Sequence, residues 1–110
     1  MSEFVSIIRL LANPATYHNK QVLVTGFLCL EFEGNALYLH EDDYRFGIFQ
    51  NSVWIDVPDN VSRRRSEVDL RYVTVDATFD SKGHGHRGLF GGSINKVTRL
   101  WPCEERKRRR

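Results

Sequence analysis

The stretch QVLVTGFLCLEF, residues 21–32, carries the longest strand signal in the chain. Apolar residues occupy every second position, with Gly26 among them: Val22, Val24, Leu28, Leu30 and Phe32. This alternation runs well beyond the usual ~5 to 6 residues of a strand, and a glycine near its middle is where a bend costs least. The pattern predicts a long, bent first strand, which a small closed barrel requires.

Four shorter strands are predicted after it. Glu33-Gly34-Asn35 is typical of a tight hairpin turn into the second strand. The four expected ranges are 36–40, 52–57, 72–79 and 92–100. In the last of them the alternation of Ile94, Val97 and Leu100 is broken, which predicts a bulge. Residues 41–50 are expected to form a short helical or irregular excursion, and residues 58–70 a short polar connector.

Before the strands, residues 2–11 show the stripe of an amphipathic helix, with Phe4, Ile7, Ile8 and Leu11 on one face. Ser2 is the expected cap, and Asn13-Pro14 is expected to end the helix. One helix and five strands are the element count of an OB-fold; an SH3-like barrel has a similar count but usually lacks the leading helix. We therefore expect a mostly β protein, a five-stranded OB-fold-like barrel with an N-terminal helix and a polar connector between strands three and four.

Three motifs carry a family resemblance. They are NPxxYxxKxVxVxG at residues 13–26, EFEGNALYL at residues 31–39, and KGH and GLF at residues 82–84 and 88–90. Together with the strand around Tyr72, they make the chain resemble a family of small stand-alone bacterial OB-fold proteins over most of residues 4–100. The resemblance implies the fold, and it brings no assigned activity or catalytic residue.

The basic charge of the chain is concentrated at its end. There are 16 Lys and Arg against 14 Asp and Glu, a net charge of +2. Residues 104–110 hold five of the bases and two of the acids, so residues 1–103 have a net charge of −1. We expect one domain over 1–103 and a basic, disordered tail over 104–110. A folded body without basic excess argues against nucleic acid as the first choice of ligand.

Compartment and chemistry also follow from what the sequence contains. Two cysteines, Cys29 and Cys103, do not make a disulfide framework. The N-terminal apolar run is too short for a secretory signal, and no run approaches a membrane span. We expect a cytoplasmic protein that binds no membrane. Without a nucleophile elbow, an HExxH motif or a spaced Cys/His pair, we expect no enzyme and no cofactor.

Four aromatic residues fall on the outward parity of four different strands: Phe27, Tyr38, Trp54 and Tyr72. OB-folds that bind single-stranded nucleic acid stack bases on outward aromatic side chains of this kind. The alternative is that the N-terminal helix covers these rings with its apolar stripe. If a single-stranded nucleic acid stacked on these rings, Arg63-Arg64-Arg65 and the basic tail would contact its phosphates.

Acidic residues accompany these rings, at Glu31, Glu33, Asp42 and Asp43. Such a rim repels phosphate and attracts a basic protein, and complementary charge speeds association and excludes wrong partners. We therefore predict a non-enzymatic module that binds a protein partner. An immunity-type inhibitor that neutralises a toxin is one protein of this kind. Single-stranded nucleic-acid binding is the alternative.

The string GHGHRG, residues 83–88, contains His84 and His86. A His-X-His pair can ligate zinc or copper, but a site needs three or four ligands. The glycines instead favour a conformational role in a loop between strands four and five. Small-ligand or metal binding by His84 and His86 is the third functional hypothesis.

Overall fold

The computed structural model describes residues 2–31, 34–83 and 90–106. Its strands are β1 (Glu3–Phe4), β2 (Gln21–Cys29), β3 (Ala36–Tyr38), β4 (Ser52–Ile55), β5 (Arg71–Asp80) and β6 (Ser93–Pro102). Its helices are α1 (Ile7–Ala12), α2 (Pro14–Tyr17), α3 (Glu41–Arg45), α4 (Asp59–Ser62) and α5 (Arg65–Val68), with a 3-10 turn at Phe49–Asn51.

Five of these strands close into a barrel. The order is β2-β3-β4-β6-β5, and β5 pairs again with β2 to complete the ring. β4 and β6 run parallel, and the other pairs within the ring are antiparallel. The short β1 lies outside the ring and pairs in parallel with the start of β2. The predicted mostly β, OB-fold-like barrel is confirmed.

β2 is the long strand that the sequence predicts, but it ends at Cys29; Leu30 is buried beyond its end, and residue 32 lies outside the described residues. It pairs with β5 along residues 21–28 and with β3 along residues 27–29, so its two ends serve different neighbours. Gly26 lies just before the junction with β3. A Cβ atom there would lie 2.6 Å from the carbonyl oxygen of Tyr38 and 2.7 Å from Cγ of Leu37. Only glycine lets the bent strand approach β3 this closely.

The long pair of β5 and β6 forms the other half of the barrel. Val73, Val75, Ala77 and Phe79 are all buried in the core, as the alternation predicts. The register shifts between the pairs of Asp76 and Thr78, and Lys96 opposite has a φ of 51°. This irregularity is the bulge that the broken pattern of the last strand predicts.

The predicted N-terminal helix is wrong in its first turn. Glu3 and Phe4 form β1, and the helix begins at Ile7, where the Ser6 side chain caps it by accepting a hydrogen bond from the Arg9 N–H at 3.1 Å. Ser2 is not the cap; its hydroxyl lies 2.5 Å from Oδ1 of Asp76. Parallel pairing with β2 gives this segment hydrogen-bond partners from another strand, including the bond from the Val5 N–H to the carbonyl of Leu23 at 3.0 Å.

The connector between β4 and β5 is built from α4 and α5. Val61 and Val68 point into the core from these otherwise polar turns. The predicted short polar connector between strands three and four of the barrel is thus present, as two helical turns that close one end of it. None of the helices in the described part of the chain has the length and apolarity needed to cross a membrane.

Candidate functional site

A second apolar cluster lies on the outside of the barrel, separate from the core. Its buried members are Phe27, Cys29, Ala36, Tyr38 and Phe90, with Tyr44, Phe49 and Trp54 packed at its margin. We call it the outer cluster. The outward parity predicted for Phe27, Tyr38 and Trp54 is therefore correct, because none of them belongs to the barrel core.

The outer cluster is covered rather than open. Phe27 and Tyr38 are only 4% and 5% exposed. Tyr44 of α3 packs on both, with ring centroids 5.7 Å from Phe27 and 5.6 Å from Tyr38. The cover comes from α3 and the turn after it, and not from the N-terminal segment, where Phe4 of β1 and Ile8 of α1 are exposed. Phe27 and Tyr38 present no free ring face on which a base could stack.

Trp54 packs at the margin of the outer cluster, and Tyr72 contacts its member Phe27. The half-buried Trp54 meets Phe90 edge-on at 5.6 Å, and its indole N–H donates to Asp56 at 3.0 Å. Tyr72 is 39% exposed and packs edge-on against Phe27 at 5.3 Å. Its hydroxyl accepts a hydrogen bond from the backbone N–H of Glu41 at 3.0 Å, which joins β5 to the start of α3. Of the four predicted rings, Tyr72 is the most exposed.

The predicted acidic residues do not act as a uniform rim. Glu31 accepts hydrogen bonds from the Cys29 thiol at 3.3 Å and the Tyr44 hydroxyl at 3.4 Å, so it holds α3 on the outer cluster. Asp42 is exposed and lies 3.6 Å from Arg45. Asp43 is half-buried, and its Oδ2 has no hydrogen-bond partner among the described residues. Glu33 lies outside the described residues.

This packing shifts the acid–base behaviour of the cluster. Burial, with smaller contributions from Glu31 and Asp69, raises the pKa of Cys29 to about 12. Burial also raises the pKa of Tyr38 to about 12, with Cys29 and Glu31 adding to the effect. The neighbouring Cys29 is the largest cause of the raised pKa of Tyr44. All three side chains stay protonated and neutral near pH 7, which suits packing and not nucleophilic chemistry.

Beside the outer cluster, a groove of about 530 Å³ opens to solvent. Its lining combines apolar or aromatic side chains, three carboxylates and one guanidinium: Phe27, Leu70, Tyr72, Cys103, Glu41, Glu104, Glu105 and Arg71. We call it the acidic groove. Glu41, Glu104 and Glu105 are all exposed, so their charges face solvent along an apolar floor.

Leu70 is the unexpected residue of the acidic groove. It is 49% exposed, although it is a large apolar residue, and its backbone has a φ of 57°. A bulky residue rarely adopts this left-handed conformation, and strained backbone of this kind is concentrated at binding sites. Its N–H donates to the carbonyl of Leu28 at 2.8 Å, which holds the strained turn in place. Sequence periodicity missed Leu70 because it is the last residue of the predicted polar connector, residues 58–70.

The arginine cluster predicted at residues 63–65 does not line the acidic groove. Arg64 pairs with Glu67 at 2.9 Å, and Arg65 lies 3.5 Å from Asp69 and donates to the carbonyl of Leu30. Two of the three clustered arginines thus have partners within the connector. His84 and His86 lie outside the described residues, as do residues 107–110 of the tail. In the described ranges, no three His, Cys, Asp or Glu side chains are grouped to hold a metal ion.

The acidic groove therefore unites segments from the β3–β4 connection, the start of β5 and the end of β6. Two of the sequence-predicted residues, Phe27 and Tyr72, line it, while Glu31, Tyr38 and Trp54 belong to the packing behind it. The resemblance to small bacterial OB-fold proteins stays a prediction, since comparison with protein-family models, with curated proteins and with solved structures returns no match.

Proposed function

We propose that this protein is a non-enzymatic binding module that recognises a basic, amphipathic segment of a protein partner in the acidic groove. The observation that carries the proposal is the pairing of an exposed Leu70 on strained backbone with the carboxylates of Glu41, Glu104 and Glu105 in one groove. An apolar floor takes an apolar side chain, and surrounding carboxylates select lysines and arginines beside it. Inhibition of a basic toxin is one task that such a surface would suit.

The alternative of single-stranded nucleic acid finds less support. Base stacking needs open ring faces, and two of the four predicted rings are buried under α3. Phosphate contacts need unpaired cations beside the rings, whereas three carboxylates line the acidic groove against one arginine. A protein partner fits both observations.

The test uses a synthetic peptide of alternating leucine and lysine clusters as the probe, titrated by calorimetry at ~50 and ~200 mM salt. We expect saturable binding that weakens at the higher salt. The double variant Glu104→Lys/Glu105→Lys is expected to weaken it at least tenfold. Leu70→Ser is expected to weaken it at both salt concentrations, because it removes apolar contact and not charge.

A matched control changes the net charge equally but away from the groove. Glu3→Lys/Asp59→Lys replaces two exposed acids on β1 and α4. Binding that falls equally in both double variants would show attraction to net charge alone and would overturn the groove assignment. An oligothymidylate that binds while the peptide does not would overturn the protein-binding proposal itself.

A further inference from the structure

A second cleft, of about 350 Å³, lies between α4 and the second half of β6. Its charged and polar lining residues are Arg64, Arg99, Asn60 and Thr98. Pro58, Val61, Val97, Leu100 and Trp101 provide the rest of its lining. We call it the basic cleft. Among the described residues that line it there is no Asp or Glu, so its chemistry is opposite to that of the acidic groove.

The cleft exists because β4 ends before its partner does. β6 pairs with β4 only at Ser93 and Ile94. After β4 the chain leaves the barrel and enters α4. The rest of β6 has β5 on one side, and on the other side it faces α4 across the cleft. Arg64 reaches across this opening and donates to the carbonyl of Leu100 at 3.4 Å.

Arg99 is held in place without being neutralised. Its guanidinium lies 4.5 Å from the centroid of the Trp101 ring, a cation–π contact that orients the group. Asp76 is the register partner of Arg99 on β5, but within residues 2–31, 34–83 and 90–106 the guanidinium forms no ion pair and no hydrogen bond. An oriented guanidinium with free N–H donors is suited to bidentate contact with the oxygens of a phosphate or carboxylate.

The backbone of β6 is strained at Lys96, three residues before Arg99. Lys96, with its φ of 51°, sits at the bulge of β6 directly before Val97 and Thr98 of the lining. The bulge redirects the strand here, and Thr98 donates its hydroxyl to the carbonyl of Asp76 at 3.2 Å. Bulges and left-handed non-glycine residues recur next to binding sites, where they aim side chains.

From these observations we infer that the basic cleft binds a small phosphate monoester with an attached apolar or aromatic group. Arg99, the unpaired cation of the lining, would contact the phosphate oxygens. Arg64 pairs with Glu67 through Nε and donates to Leu100 through Nη1, so only its remaining N–H groups would join that contact, and Asn60 would add a neutral donor. Val61, Val97 and Trp101 would pack against the attached group. The volume lies at the lower end of the range for small-molecule pockets, so a mononucleotide-sized ligand is the expected class.

The test is an NMR titration of the full chain with adenosine 5′-monophosphate, run beside adenosine and inorganic phosphate as separate probes. We expect the monophosphate at about 1 mM to shift the amide resonances of residues 60–64 and 97–101. Adenosine and phosphate alone are expected to bind several-fold more weakly, because each uses half of the cleft. No shift in these residues, or shifts confined to the acidic groove, would overturn the inference.

Three variants sharpen the test. Arg99→Ala is expected to weaken monophosphate binding at least tenfold. Asn60→Asp keeps the size of an exposed side chain but places a carboxylate in the cleft, so it is expected to abolish binding while the protein stays folded. Arg63→Ala is the control, because it removes one exposed charge next to Arg64 without touching the lining. Equal binding by all three variants, or an equal loss in all three, would refute the assignment.

Discussion

The two cysteines of the chain sit in opposite environments. Cys29 is buried in the outer cluster with its thiol directed at Glu31, whereas Cys103 is exposed at the edge of the acidic groove. The sequence around a cysteine does not show whether its thiol is buried or exposed. Cys29 shares the alternation of Phe27 on β2 and lies with it in the outer cluster, but the second layer that buries it comes from α3, whose position depends on long-range packing.

At neutral pH we expect only one of the two thiols to react with a disulfide reagent such as Ellman's reagent in the native protein. The thiolate is the reactive form, and burial raises the pKa of Cys29 to about 12. Denaturant should release the second thiol. Cys103→Ala should abolish the fast reaction, and rapid labelling of Cys29 in that variant would contradict the burial described for it.

At the scale of the elements, the strands are predictable from the sequence, and so is the N-terminal helix except for its first turn. Alternation identifies β2 and β5 because each has one face in the core over many residues, whereas in β6 a bulge interrupts the alternation. The stripe from Phe4 to Leu11 also matched a helix, but four positions are too few to resist pairing with β2. Phe4 and Ile8, two members of that stripe, are exposed, and the buried residues of α1 are Ile7 and Leu10.

The true start of α1 can be tested through its cap. Ser6→Ala removes the hydrogen bond to the Arg9 N–H and is expected to lower the free energy of unfolding by about 1 kcal/mol. Ser66→Ala is the control, since Ser66 is an exposed residue within α5 and alanine is the better helix former there. Chemical denaturation measures both. An unchanged stability in Ser6→Ala would mean that the helix does not begin where the structure places it.

At the scale of the whole molecule, charge is distributed in a way that a net value conceals. The acidic groove brings together residues 41, 70 and 104, which are far apart in sequence, and the basic cleft does the same with Arg64 and Arg99. The composition gives residues 1–103 a net charge of −1, and one acidic and one basic surface are consistent with that small value. No local pattern predicts either site, because barrel closure alone makes their segments neighbours.

The outer cluster also makes the free energy of unfolding depend on pH in the alkaline range. In the unfolded chain Cys29 loses its proton near pH 9 and Tyr38 near pH 10, while in the fold both keep it to about pH 12. Between these values the folded state binds more protons, so the free energy of unfolding falls as pH rises. The stabilisation is complete below about pH 9 and is lost by about pH 12, with a slope of up to about 1.4 kcal/mol per pH unit for each group.

Denaturant unfolding at a series of pH values from 8 to 11 measures this slope. Cys29→Ala and Tyr38→Phe each remove one titrating group, and each is expected to make the decline shallower whatever its effect on stability at neutral pH. Cys103→Ala, which removes the exposed thiol outside the outer cluster, is the matched control. If the native protein and Cys29→Ala decline in parallel, the outer cluster does not hold its thiol protonated, and the cover provided by α3 is looser than its contacts with Phe27 and Tyr38 require.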